Sequence, residues 1–230
     1  LKKLFKKFKF YRHRLCLISY SSSSNITSKL SSLCDVRVIW GGDDTINNIR
    51  KYQLPVRAFD VTFSDRYSFS VINADEYINE KDKPKIAEHF FNDTYLFDQN
   101  ACTSPHLILW IGKVKNITLS KEFFWKEIHN YIINKYTMES IISVDKLTSY
   151  YKQLLEIGNV KKISTKDNLV WRVKLDSLTS HIENYRCSSG YFNEYDLKSL
   201  EEINSIVNRK YQTFSYYGFD KKVLSSFIKK

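Results

Sequence analysis

The first fifty residues alternate between apolar runs and amphipathic segments, and this alternation limits the chain to few folds. RLCLISY is a short apolar run, and SSSSNITSKLSSLC follows with several serine N-caps and with Ile26, Leu30 and Leu33 on one face. DVRVIWGG is a second apolar run, and DDTINNIRKY opens on Asp43-Asp44-Thr45, which suits a helix N-terminus. Strand, helix, strand, helix in that order predicts an α/β fold on a parallel sheet. Ahead of it, LKKLFKKFKF sets Leu1, Leu4, Phe5 and Phe8 at helical spacing among lysines and predicts a surface helix.

Beyond Pro55, VRAFDVTFSDRYSFSVINADEY is rich in β-branched and aromatic residues and predicts two strands. A helix is expected from about Lys85 to Phe97, then a strand over HLILWIG, two amphipathic helices, and a strand over LVWRVKLDS. YDLKSLEEINSIVNRKY reads as a helix with a capping box from Ser199 to Glu202, followed by a strand over QTFSYYGF and a last helix over DKKVLSSFIKK. Trp40, Trp125 and Trp171 fall in apolar patterns and are expected in the core, while His129 is expected on the surface of its helix.

The 230 residues are 43% hydrophobic and 15% aromatic, enough for a packed core and incompatible with wholesale disorder. The net charge of +11 suits a polyanionic ligand such as the phosphates of a cofactor or of acyl-CoA. It is spread along the chain, so a nucleic-acid partner is not expected. No run approaches the roughly 20 apolar residues of a membrane span, and the basic N-terminus is too charged for a signal-peptide core. A cytoplasmic protein without stable membrane insertion is expected.

Four cysteines lie far apart with no CxxC pair, which argues against a metal site and against a disulfide framework. Cys16 and Cys34 sit in apolar runs and read as buried packing thiols. Cys102, in FDQNACTSPHLILW, lies between a helix and a strand among Asn100, Thr103 and Ser104. It is either a small core residue or a nucleophile on a loop, whose uncommitted N–H groups can collect on an oxyanion. His106, four residues on, offers a Cys–His pair. Arg186 and Cys187 lie in another polar loop, and Cys187 is the competing thiol.

FFNDTYLFDQNACTSPHLILW resembles the nucleophile segment of the aldehyde dehydrogenase superfamily, with Gln99 and Cys102 in the positions of the Gln and the Cys. VRVIWGGDDTINNIR is similar to the strand-to-helix segment beside the cofactor. DVTFSDRYSFSVINADE is similar to the strand pair that closes on Ala-Asp, here Ala74-Asp75, and YDLKSLEEINSIVNRKYQTFSYYGFD to a later helix and strand. The wording WGG and DQNACTSP is closest to the LuxC-type acyl-CoA reductases, the fatty-acid reductase subunit of bacterial luminescence and its non-luminous relatives.

The resemblance implies an α/β, aldehyde-dehydrogenase-like fold. Residues 1–56 would be a remnant of the nucleotide-binding domain and residues 57–230 the catalytic thiol domain, short at both ends, since family members are roughly twice this length. It implies that Cys102 takes an acyl group from acyl-CoA or an acyl-protein synthetase partner and that NADPH reduces the thioester to a fatty aldehyde. Gly41 and Gly42 would admit the cofactor or simply form a tight turn. Gln99, Asn100, Asp60 and Arg186 are candidate site-lining residues, and the complete protein would be an oligomer. The Glu of the superfamily's Glu-Leu-Gly-Gly motif is absent, with Asp60 and Asp65 nearby instead, which fits a reductase that needs no hydrolytic base. The alternative is a non-catalytic fragment or interaction module that keeps the fold.

Overall fold

The structure, a computed structural model, describes residues 2–163 and 165–228. The chain folds as two units, Leu1–Asp65 and Arg66–Lys230. In the first unit α1 (Lys2–Lys7) and α2 (Ile26–Ser31) precede β1 (Val36–Gly41), α3 (Asp43–Arg50) and β2 (Phe59–Ser64). β1 and β2 pair in parallel from Val36↔Phe59 to Gly41↔Ser64, so α3 is the crossover that two parallel strands require. Asp43 and Asp44 occupy its first turn and Arg50 its last, each complementing the helix dipole. Ile39 and Ile46 are buried beneath the crossover.

Three expectations fail in this unit, and one cause covers two of them. RLCLISY forms no strand: Leu15, Leu17 and Ile18 are exposed, and so is Cys16, which was expected to be a buried thiol. The run is in neither sheet, so it has no ladder in which to satisfy its backbone. Trp40 is 78% exposed and stacks on Phe63 across the open face of β1 and β2, because helix packing covers only the other face. The two compact units divide after Asp65, which keeps β2 with its partner β1 in the first unit.

The second unit begins with β3 (Tyr67–Asn73), α4 (Ala74–Tyr77), α5 (Lys83–Thr94), β4 (Pro105–Ile111), α6 (Val114–Ile132) and α7 (Ser140–Ile157). It continues with β5 (Val160–Ile163), β6 (Trp171–Leu175), β7 (Tyr191–Leu197), β8 (Tyr211–Tyr217) and α8 (Lys221–Ile228). The strand order is β5-β6-β7-β4-β3-β8, with β5 antiparallel and the other five strands parallel. A parallel sheet is covered on both faces, and YSFSVI and PHLILW are accordingly buried at every position, the polar Ser68, Ser70 and His106 included. One face packs Ile72, Ile108 and Trp110 against Phe90 of α5 and Phe124, Trp125 and Ile128 of α6. The other packs Val71, Leu107, Leu109 and Val173 against Ile203, Ile206 and the Leu154 face of α7.

The sequence reading misses β7 and takes Tyr195 onward as a helix. Instead β7 runs to Leu197 between β4 and β6, and only a 3₁₀ turn, Leu200–Ser205, follows. The expected capping box caps that turn, with the Glu202 carboxylate accepting from the Ser199 and Lys198 N–H groups. Among the described residues no helix is long and apolar enough to cross a membrane.

The four tryptophans give a direct check. Trp110, Trp125 and Trp171 are buried and Trp40 is not. Acrylamide should therefore quench one accessible class of fluorescence, and Trp40→Phe should abolish that class. An unchanged quenching curve in the variant would contradict the open β1–β2 face.

Candidate active site

Helix α5 ends at Thr94 and a 3₁₀ turn, Tyr95–Phe97, leads into the loop that carries Cys102. Asp98 and Gln99 then take successive left-handed conformations, with φ of 51° and 61°. Each costs a non-glycine residue about 1 kcal/mol, so surrounding contacts must over-determine them. The Asp98 carboxylate accepts from the Tyr136 hydroxyl at 2.6 Å and its carbonyl from the Ser189 N–H at 2.9 Å. The Gln99 N–H reaches back to the Thr94 carbonyl at 2.7 Å.

The fully buried Gln99 carboxamide is the main fastener. Its Nε2 donates to the carbonyls of Pro105 (3.0 Å) and Tyr191 (2.9 Å), while its Oε1 accepts from the N–H groups of Gly190 (2.8 Å) and Tyr191 (3.0 Å). All four bonding positions of the amide are filled, and they join the first residues of β4 and β7. Gln99 is therefore not a residue that lines the site, as the sequence suggested, but one that positions the loop. The opposing loop is equally constrained. Ser189 is left-handed at φ 58°, and a Cβ on Gly190 would lie 2.2 Å from the Leu169 carbonyl. Buried Lys146 donates to the carbonyls of Ser189 (2.5 Å) and Asn168 (2.6 Å), and burial pushes its pKa down to about 8.

Between these anchors the Cys102 side chain is exposed to solvent. The Ser68 hydroxyl holds the Cys102 carbonyl at 2.7 Å, the Ser104 N–H returns to the Ala101 carbonyl at 2.9 Å, and the Ser104 hydroxyl donates to the Asp93 carbonyl at 2.7 Å. The N–H groups of Cys102 and Thr103 have no partner among the described residues and remain available to an oxyanion. The thiol thus sits at the amino edge of the sheet, opposite to the carboxyl edge where open α/β sheets usually bind ligands.

His106 does not share the thiol's exposure. It is the extra residue of a β-bulge, since Ser68 pairs with Pro105 and Phe69 with Leu107. Its ring is buried and stacks on Tyr67 at 5.8 Å. Burial, and then the charge of Arg186, push its pKa down to about 3, so it is a neutral imidazole at physiological pH. Half-buried Arg186 donates to the Arg66 carbonyl at 2.7 Å, and the half-buried Cys187 backbone lies beside His106. Asn100 is exposed next to the thiol loop. His129, expected on the surface, is partly buried and pairs with Asp167 at 2.7 Å.

In the first unit Asp60 accepts a two-pronged bond from Arg37, at 2.7 and 2.9 Å, which holds its carboxyl below the usual range. It is thereby kept ionised as a structural partner. Gly41 has a packing reason, since a Cβ there would meet Thr45 at 2.9 Å, and Gly42 takes an extended conformation open to any residue. Among the described residues no group of His, Cys, Asp and Glu could hold a metal ion.

The model of the family described as acyl-CoA reductase (LuxC) matches residues 11–128, about half of the chain, and includes the whole thiol loop. The chain belongs to the LuxC acyl-CoA reductase family. This LuxC-family chain matches no curated protein in sequence. Among solved structures it is similar to an aldehyde dehydrogenase from Brucella melitensis biovar abortus, at TM-score 0.60 and 11% identity over 89% of this chain and 44% of that one. Lactaldehyde dehydrogenase from Escherichia coli gives 0.59 and 12% over 89% and 46%. The Delta-pyrroline-5-carboxylate dehydrogenase from Mycobacterium tuberculosis bound with NAD gives 0.58 and 8% over 88% and 41%. The fold is that of the aldehyde dehydrogenases, and the LuxC-family chain spans less than half the length of each of these proteins.

Two measurements check this geometry. Gln99→Leu orphans backbone groups of Gly190, Tyr191 and Pro105, and should cost about 3–5 kcal/mol in urea unfolding; a loss under 1 kcal/mol would contradict the fastening role. His106 binds a proton in the unfolded chain below its ordinary 6.5 but in the folded chain only near 3. Its contribution to stability is therefore lost as pH falls through that window. From pH 7 to pH 5 the wild type should lose about 2 kcal/mol more than His106→Gln, and parallel pH profiles would contradict a buried neutral imidazole.

Proposed function

We propose that this chain carries the acyl-transfer centre of a fatty acyl reductase and that Cys102 is its nucleophile. The observation behind this reading is an exposed thiol on a loop pinned on both sides, by Gln99 and by Ser68 and Ser104, with two N–H groups beside it uncommitted. The Cys102 thiolate adds to the carbonyl of an acyl-CoA or acyl-protein thioester, and the Cys102 and Thr103 N–H groups receive the oxyanion. The tetrahedral adduct collapses, the donor's C–S bond breaks, its thiolate leaves, and the acyl group stays on Cys102 as a thioester with no change in oxidation state. Among nucleophilic side chains a thiolate suits this step, because it exchanges thioesters readily and leaves a carbonyl that can be reduced to the aldehyde.

Reduction of that thioester would need a hydride, which a nicotinamide cofactor, proposed as NADPH, would supply when bound. The described residues do not fit its pyrophosphate. The β1–α3 turn, the one strand-to-helix turn with a glycine pair, presents Asp43 and Asp44 in the first helical turn, where phosphates would be repelled. Titration calorimetry on this chain should accordingly show weak NADPH binding or none, and tight binding would overturn this reading of the first unit.

The rest of the proposal is a cytoplasmic enzyme, oligomeric when complete, served by acyl-CoA or an acyl-protein synthetase and not by nucleic acid. Intact protein exposed to a radiolabelled acyl donor should take up label that neutral hydroxylamine releases. Cys102→Ser should lose both label and aldehyde, whereas Cys187→Ser and the exposed Cys16→Ser should keep both. Label that maps to Cys187, or that survives Cys102→Ala, would favour the non-catalytic alternative.

A further inference from the structure

The C-terminal half of α6 and the β5–β6 connection enclose a cavity of about 310 Å³ that the chemistry at Cys102 leaves unused. Glu122, Trp125, Lys126, His129 and Asn130 recur at intervals of three and four residues, so one stripe of α6 forms the first wall. Thr165 and Lys166 of the connection, with Val170 and Arg172 at the start of β6, form the other. The connection holds its shape through Asp167. That carboxylate pairs with His129 at 2.7 Å and accepts from the Leu169 N–H at 2.8 Å, while the Asp167 carbonyl accepts from the Thr165 hydroxyl at 2.6 Å.

The charge of the cavity is one-sided. Lys126 and Lys166 are exposed and form no ion pair among the described residues. Arg172 gives Nε and Nη2 to buried Glu194 and keeps Nη1 uncommitted. Against them the walls carry one carboxylate, Glu122. Two ammonium groups and a guanidinium N–H, set beside Trp125 and Val170, suit a phosphate that ends an uncharged chain. We propose that this cavity binds the pyrophosphate of the acyl-CoA donor, an inference that rests on Cys102 being the acylated thiol.

The sheet sets the distance. Arg172 reaches Glu194 on the face that α5 and α6 cover, and the Cys102 loop follows α5 on that same face. Trp171 pairs with Tyr191, and the Gln99 amide ties Tyr191 to Pro105, so β6, β7 and β4 begin at one level. The start of β6 therefore lies two strand spacings, about 10 Å, from the start of β4. The Tyr95 hydroxyl, at the end of α5, donates to the Leu169 carbonyl at 3.0 Å and joins the thiol's side to the cavity's side. The pantetheine arm of CoA has about thirteen bonds from sulfur to first phosphate and reaches roughly 15 Å when extended, enough for this crossing.

Donor discrimination tests the proposal. Label at Cys102 is followed with one radiolabelled acyl group carried either by CoA or by pantetheine, which lacks the phosphates. In the wild type the CoA donor should half-saturate at least about tenfold below the pantetheine donor, and Lys126→Glu combined with Lys166→Glu should bring the two together. Equal half-saturation in the wild type, or an undiminished preference in the variant, would overturn the proposal. A footprint needs no variant. CoA should protect Lys126 and Lys166 of the wild-type chain from acetic anhydride, read by mass spectrometry, and leave the exposed Lys115 reactive. No protection, or equal protection by inorganic phosphate at the same concentration, would overturn the proposal too. Absence of label from both donors would sink Cys102 as the nucleophile, and the footprint alone would then decide the cavity.

Discussion

At the amino edge of the sheet β4 and β7 begin side by side, and their first carbonyls and N–H groups have no further strand to bond. The Gln99 carboxamide supplies what a strand would have supplied, two donors' worth of hydrogen to Pro105 and Tyr191 and one oxygen to Gly190 and Tyr191. Because that amide is fully buried, losing it would leave several backbone groups uncompensated at once. The left-handed turn at Asp98 and Gln99, and with it the presentation of Cys102, rests on this substitution of a side chain for a strand.

The rest of the second unit keeps both halves of that junction in place. Lys146 and the close contact of Gly190 with Leu169 fix the loop before β7, and Tyr136, just past the end of α6, holds Asp98. Glu194 locks β7 to β6 and α6, accepting from Arg172, Trp110 and Trp125. Rigid loops at the edge of a doubly covered sheet are the means by which an exposed thiol keeps one geometry. The bulges at His106 and Gln212 are the local exception to regular pairing.

Much of this was legible in the sequence. β-Branched and aromatic richness announced β3, the apolar run HLILWIG announced β4, and the polar run between a helix and a strand announced the thiol loop. β7 was hidden because Asn193 and Glu194 interrupt its apolar pattern, and both are satisfied by partners outside the strand, Gln153 and Tyr185 for Asn193 and Arg172, Trp110 and Trp125 for Glu194. RLCLISY failed for the converse reason, since an apolar run becomes a strand only beside another. Trp40 showed the same dependence on neighbours. Gln99 was singled out but misread, because nothing in local sequence separates a residue that faces substrate from one buried four bonds deep. Lys146 on α7 gave no signal at all.

Hydrogen exchange read amide by amide tests the central claim most directly. The N–H groups of Gly190 and Tyr191 bond to Gln99 Oε1, so in the native protein they should be protected to the level of the β4 core despite lying in a loop. In Gln99→Leu both should lose protection together with Ser104 on the thiol side, while mid-strand Leu109 stays protected. Exchange of Gly190 and Tyr191 at open-loop rates in the wild type, or unchanged protection in the variant, would show that the nucleophile loop is held by something other than Gln99.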